Sequence, residues 1–519
     1  MRNFLFYISF LCIAGIISCN TKKESSVEEV PFQEKHRPQV HFSPVAGWMN
    51  DPNGMVYYEG EYHLFYQHYP EASVWGPMHW GHAISKDLVH WEHLPVALYP
   101  DSLGYIFSGS AIVDLENTSG FGAKENPALI AFYTYFDHTK QGINQTQALA
   151  YSVDKGRTWA KYEKNPVVEN PGIPDFRDPK VFWHEESKQW IMALAAGQEI
   201  HFYASKDCKE WTFLSHFGEG YGNHDGVWEC PDMFPLKVKG SNETYWVLIV
   251  NINPGGPAGG SATQYFVGNF DGKTFKSDQK KAKWADQGKD NYAGVTWSNV
   301  QDGRTLFIGW MNNWQYAGEK PCIAWSGATT FPRELGLEKD GQDIYLTSVP
   351  VREIESLYGK NISFSNLEIN KSKILSERFL PMAAPVEIKL VFDQTENSKM
   401  GFASIYGIRL KNAKGEYISI GYDNKDKLFY TDRTNAVGEV FSEHFSSLHS
   451  FLYKVDTSQI EWRLIVDMAS VEFFAAGGRV VSTNVFYPSE PFDQIEVFAE
   501  DGTIDLVSGS ITELKSIWK

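Results

Sequence analysis

The strongest constraint on this chain is an ending that recurs. "HAISKDLVHWEHL" (82–94), "LAYSVDKGRTWAKY" (149–162) and "HFYASKDCKEWTFL" (201–214) each carry Ser-x-Asp with a tryptophan a few residues on, and "YFVGNFDGKTFKSD" (265–278) is a looser fourth copy. Each reads as a strand, a polar turn and a second strand whose aromatic can pack between neighbouring sheets.

Openings recur as well. "NDPNGMVYY", "RDPKVFW" and "ECPDMFPL" each set a carboxylate one or two residues before a proline, ahead of an apolar strand. A hairpin-length turn and another hydrophobic strand follow each of them: "EYHLFYQ", "QWIMALAA" and "YWVLIVNI". In the first, the segments meet at Glu59-Gly60, which leaves no room for a helix. The unit is a four-stranded antiparallel blade recurring every ~50–65 residues. The spacing in "SVDKGRTW" is that of an Asp-box, a turn common in β-propeller blades, and "GVTWSNVQDGRTLFIGWMNNW" (294–314) supplies a last blade. The count comes to about five, and long helical periodicity is absent.

At 519 residues the chain exceeds one ordinary core. After residue 350 the aromatic-rich loops give way to closely spaced alternating strands such as "PVEIKLVF", "GEYISIGY" and "QIEVFAE". The expected fold is therefore all-β: a five-bladed propeller over 37–350 and an antiparallel β-sandwich over 351–519, with the boundary near "VPVREIESLYGKN". Aromatics at 15% suit sheets and stacking surfaces. A net charge of −17 argues against nucleic acid and anionic membrane surfaces as partners, and fits a neutral substrate better than a phosphorylated one.

The first residues stand apart. "MRNFLFYISFLCIAGIISC" has Arg2, an apolar run and small residues before Cys19, the pattern of a secretory signal over 1–18. "IISC" resembles a bacterial lipobox, which implies cleavage before Cys19, lipidation of its thiol and anchoring in the cell envelope. The polar run that follows, "NTKKESSVEEV", cannot pack and reads as a tether over 19–36. Cys208, Cys230 and Cys322 are too few and scattered for a disulfide framework and read as buried small hydrophobes.

If the blade openings are equivalent, Asp51, Asp178 and Glu229 occupy corresponding places on innermost strands and converge on one axial funnel. Like charges in one pocket push at least one carboxyl pKa upward, which makes an acid and a base from similar side chains. Glycosidic bond cleavage requires that division of labour.

These residues carry a resemblance. "WMNDPNG", "FSGS" (107–110), "FRDP" (176–179), "WECPD" (228–232) and "GKDNYAGVTWSN" are similar to the signatures of glycoside hydrolase family 32, the β-fructosidases, in the same order and from about residue 38 into the sandwich, where "DMASVEFFAAGG" also looks familial. The resemblance implies retaining hydrolysis of fructose-containing oligo- or polysaccharides. Asp51 is implied as nucleophile, Glu229 as general acid and then base, and Asp178 as stabiliser of the transition state. Trp48, Met49, Asn50, Gln67, Trp75, Phe107, Ser108, Ser110 and Arg177 match pocket positions, with Trp310 or Trp314 as a further wall. Asn291 departs from the pattern, standing where the family commonly has an aromatic.

On physical grounds, Arg177 is placed to keep Asp178 ionised, and Asp232 to act on Glu229. No cofactor is implied. His63, His68, His79, His82, His90 and His93 lack a helical HExxH arrangement and read as pocket-rim and surface residues rather than metal ligands. Two further readings remain at this stage. One is a non-catalytic glycan-binding lipoprotein on the same fold; the other is a sialidase-like enzyme, which would need an arginine cluster that the motifs do not supply. Preference among levan, inulin and sucrose, and the oligomeric state, are not written in the motifs.

Overall fold

The computed structural model describes residues 31–375, 385–395 and 401–518. The signal and Cys19 lie outside them. Within residues 31–36, expected as the end of the tether, two side chains are instead packed: Phe32 stacks on Trp518 at 4.0 Å, and His36 is buried edge-on to Tyr487.

Five sheets follow one another along the chain as blades. Their innermost strands are Gly47–Tyr58, Tyr105–Asp114, Phe176–His184, Val227–Lys237 and Tyr292–Thr296. All five contribute to one narrow cavity on the common axis. The first blade also takes a late segment, Trp325–Ser326, as a parallel partner of Gly47–Trp48, which helps close the ring.

The recurring endings work as read, with one refinement. The Ser-x-Asp turns close through their own side chains, as where Asp207 accepts from the amides of Lys209 and Glu210, each at 3.0 Å. The aromatic after each turn reaches back to the preceding blade. Trp159 meets Phe65 edge-on at 5.5 Å, Trp211 meets Phe132 at 5.8 Å and Phe275 meets Phe217 at 5.0 Å. One repeated side chain thus seals successive seams.

A short 3-10 turn, Arg352–Leu357, leads into the second unit, whose strands form one continuous ladder folded into two layers. The long strands Tyr358–Ile374 and Gln494–Leu514 pair along their lengths and pass from one layer to the other. The final strand pairs with Ile405–Lys411 through its first part and with Val386–Asp393 through its last. Phe392, Tyr406, Phe429, Trp462 and Phe473 meet in the core between the layers. This is a β-sandwich.

Buried charge joins the two units. His41, just ahead of the first blade, bonds Asp467 and Glu472 of the sandwich, each at 2.8 Å. Burial opposes a charge on His41, yet the two carboxylates outweigh it and push its pKa up to about 9. Arg333 bonds Asp286 at 3.0 Å and also Glu472. The departing Asn291 has its place here, donating to Asp286 at 3.1 Å.

Candidate active site

Each of the five innermost strands breaks its ladder at the same level. The register shifts between Met49 and Pro52, between Ile106 and Gly109, opposite Ala193–Ala195, between Glu229 and Asp232, and between Tyr292 and Val295. At each break two residues oppose one, a β-bulge that re-aims side chains. Asp51, Ser108, Asp178, Cys230 and Ala293 all lie in these bulges. Pro52, Pro179 and Pro231 fit here because at these positions the innermost strands have no ladder partner on their axial side. Asp178, Cys230 and Ala293 hold φ of 67°, 42° and 52°, a left-handed backbone costing on the order of 1–3 kcal/mol each.

The carboxylates do not occupy equivalent places within the bulges. Glu229 is the residue before its bulge, Asp178 the first residue of its own and Asp51 the second. Their different offsets bring them to one centre from three directions. Cys230 marks it: its sulfur lies 3.5 Å from Oδ2 of both Asp51 and Asp178, and its backbone N–H donates to Asp178 at 2.9 Å.

Each carboxylate has its own partners. Asp51 accepts from the Ser108 hydroxyl at 2.6 Å and from the Asn50 amide at 3.0 Å. Burial and the charge of Glu229 raise its pKa, against those donors. Asp178 is pushed up to about 7, chiefly by burial, with Arg177 opposing and the neighbouring carboxylates adding to the rise. Glu229 accepts from Arg177 Nε at 3.1 Å and Nη2 at 2.8 Å, and from the Tyr292 hydroxyl. Burial and neighbouring negative charge thus make both Asp51 and Asp178 hold a proton more readily than a free carboxylate.

Several residues stand differently from expectation. Arg177 turns mainly to Glu229 and Asp175, its Nε remaining 4.0 Å from Asp178, because adjacent residues at the bulge do not share a direction. Asp232 lies beyond the bulge from Glu229 and pairs instead with the buried Lys180 at 2.9 Å. Met49 points away from the funnel into the core with Val40 and Phe42. Ser110 bridges two blades, donating to the Pro179 carbonyl at 2.8 Å and accepting from the Val181 amide at 2.9 Å. His63 and His82 are neither rim nor surface: they are buried in the first blade, 3.0 Å apart, with His82 stacked on Phe65. His68 is buried too, bonded to the Trp48 carbonyl at 2.8 Å. Among the described residues no group of His, Cys, Asp and Glu is arranged to hold a metal ion.

The remaining expected residues gather around the centre. Trp48 donates to Asn50 at 2.7 Å and stacks with Trp314 at 5.9 Å. Trp310 is fully buried behind them, and its Nε1 has no hydrogen-bond partner. Trp75 is 45% exposed on its loop and meets Phe107 edge-on at 6.3 Å. Gln67 faces the first bulge from the neighbouring strand and bonds Asn53 at 2.8 Å. Two contributors were missed. Tyr292 lay in plain sight in the "NYAG" run, but nothing local shows that it reaches Glu229. Thr134 sits opposite the second bulge and fixes the Asp178 amide at 2.9 Å, a contact across 44 positions with no sequence signal.

Comparison with known proteins covers both units of the chain. Residues 41–348 match the family model described as "Glycosyl hydrolases family 32 N-terminal domain", and residues 353–513 match "Glycosyl hydrolases family 32 C terminal". The chain is 45% identical over 495 residues to a levanase of Bacillus subtilis (strain 168), spanning 94% of this chain and 72% of that protein. Its fold resembles the crystal structure of exo-inulinase from Aspergillus awamori, with a TM-score of 0.87, 36% identity and coverage of 94% and 100% of the two chains. It likewise resembles β-fructofuranosidase from Schwanniomyces occidentalis complexed with fructosyl-erythritol, with a TM-score of 0.85, 34% identity and coverage of 94% and 99%.

Proposed function

The chain belongs to glycoside hydrolase family 32 and is a β-fructosidase acting on fructans and sucrose; we propose that it works by retention, from the chain end, with Asp51 as nucleophile. The observation that carries the mechanism is the convergence of Asp51 and Asp178 on Cys230, with Glu229 next to it in the chain.

In the first step a carboxylate oxygen of Asp51 attacks the anomeric carbon of the fructosyl unit. The bond to the leaving oxygen breaks, and Glu229 supplies that oxygen with a proton. In the second step water attacks the same carbon, Glu229 takes the proton and Asp51 is released. Asp178 accepts hydrogen bonds from sugar hydroxyls and, when ionised, offsets positive charge developing on the ring. The Ser108 and Asn50 donors hold Asp51 in orientation for attack.

Trp48, Trp314, Phe107 and Trp75 support end-on attack, because aromatic walls around one terminal sugar make a pocket rather than an open cleft. Purified protein incubated with levan, inulin and sucrose tests both parts. Fructose as the sole early product from levan and inulin, and fructose with equimolar glucose from sucrose, the fructose released first as the β-furanose by NMR, is the expected result. An early ladder of oligosaccharides overturns end-on attack, and initial release of the α-anomer overturns retention.

For location, the reading is export with the protein held at the cell envelope through a lipidated Cys19, supported by "IISC" and the polar run after it. Wild type is expected in the membrane fraction and Cys19→Ala in the soluble fraction, with equal activity. Equal solubility of the two overturns the anchor.

A further inference from the structure

We propose that Arg433, a sandwich residue that touches no catalytic group, is a positioning residue for the wall of the active-site funnel. It lies on the strand Leu428–Asn435 and is fully buried. Its Nη1 donates to Asp290 at 2.7 Å, and its Nη2 donates to the Tyr316 hydroxyl at 2.9 Å. Tyr316 in turn donates to the other oxygen of Asp290. Arg433 is itself fixed by the Phe445 carbonyl at 2.9 Å and lies over the Phe445 ring at 4.2 Å.

The two residues it grips belong to the two segments that shape one side of the funnel. Asp290 stands two positions before Tyr292, whose hydroxyl holds Glu229. Asp290 is also fastened to the sandwich by its own amide, at 3.0 Å from the Thr483 carbonyl, and by the Val485 amide at 2.9 Å. Tyr316 stands two positions after Trp314, which stacks on Trp48. Asn313 ties the segments together directly, donating to the Lys289 carbonyl at 2.8 Å. One guanidinium therefore sets the relative place of the Glu229 clamp and the tryptophan wall. Its rigid fork matches that task, and a lysine, a point charge, can keep the attraction to Asp290 but not both bonds.

The sandwich thus acts as a template for the site rather than only as a cover for one flank. The kinetic part of the test rests on the function proposed above; hydrogen exchange does not, so the two can fail separately. Arg433→Lys and the gentler Tyr316→Phe are compared with wild type and with Asp340→Asn, which removes a peripheral contact between the units, the Arg479–Asp340 pair at 3.0 Å. Folding is verified by circular dichroism well below each Tm.

Expected in Arg433→Lys and Tyr316→Phe is a loss of kcat/KM on sucrose of roughly 10- to 100-fold, shared between a higher KM and a lower kcat. Exchange should quicken in 286–292 and 311–317 while that of Gln189–Ala196 stays unchanged. Asp340→Asn should match wild type in both readouts. Folded variants with kcat/KM within twofold of wild type and only a lowered Tm would overturn the proposal. Exchange raised evenly across the chain, or unchanged in the two wall segments, would overturn it as well, whatever the activity.

Discussion

The Ser108 hydroxyl donates to Oδ2 of Asp51 at 2.6 Å, across the seam between the first two blades. Two bulges, 57 positions apart in the chain, must lie level for that bond to form. Replacement of Asp51 by Asn keeps the shape and removes the nucleophilic charge. We expect the Asp51→Asn variant to fold with a wild-type circular dichroism spectrum and to lose about 10⁴-fold or more in kcat. Activity above a tenth of wild type would exclude Asp51 as nucleophile.

As the proposed proton donor to the leaving group, Glu229 should matter in proportion to how much help that group needs. Glu229→Ala is expected to lose about 10²–10⁴-fold in kcat/KM on sucrose and distinctly less on an aryl fructofuranoside, whose leaving group departs without a proton. Steady-state kinetics on the two substrates measure this. Equal losses would mean that Glu229 serves binding or structure instead.

Asp178 carries a stability cost that varies with pH. Its pKa is pushed up to about 7 in the fold from an ordinary 3.8, mainly by burial. At this group the folded state therefore binds a proton more tightly than the unfolded chain across that window, and its contribution to stability falls as pH rises from about 4 to 7. Asp178→Asn should be inactive yet more heat-stable than wild type at pH 7–8, with the gap closing toward pH 4. Thermal melts across this range test the sign. A gap that widens on acidification would contradict it.

Lys180 and Asp232 form a buried ion pair, and Asp232 also accepts from the Thr296 hydroxyl at 2.9 Å. Lys180→Met leaves Asp232 buried without its cation and should cost about 3–5 kcal/mol in denaturant melts. Lys180→Met with Asp232→Asn should recover part of that loss, since the stranded charge is gone. A double variant less stable than the single would show that Asp232 is stabilised chiefly by its hydrogen bonds to Thr296.

Much of the architecture was written in local pattern. Ser-x-Asp turns, the aromatics after them and the carboxylate-proline openings follow from short-range geometry, so the blades and the gathering of Asp51, Asp178 and Glu229 on the innermost strands were legible residue by residue. Resemblance carried the reaction class. Side-chain direction was less legible. Met49, Ser110, Asp232 and Arg177 each lie within three residues of a candidate site position, yet the bulge turns close neighbours apart, and only the ladder register reveals which one faces the funnel.

By itself the sequence determined the strands, the turns and the stock of acids and aromatics, because these depend on residues within a few positions of one another. Tertiary structure alone decided which of them meet. Five bulges at one level, Tyr292 on Glu229, and Arg433 on Asp290 from 143 positions away are contacts between separate sheets. They depend on how blades and sandwich pack as bodies, and no local preference of the chain encodes them.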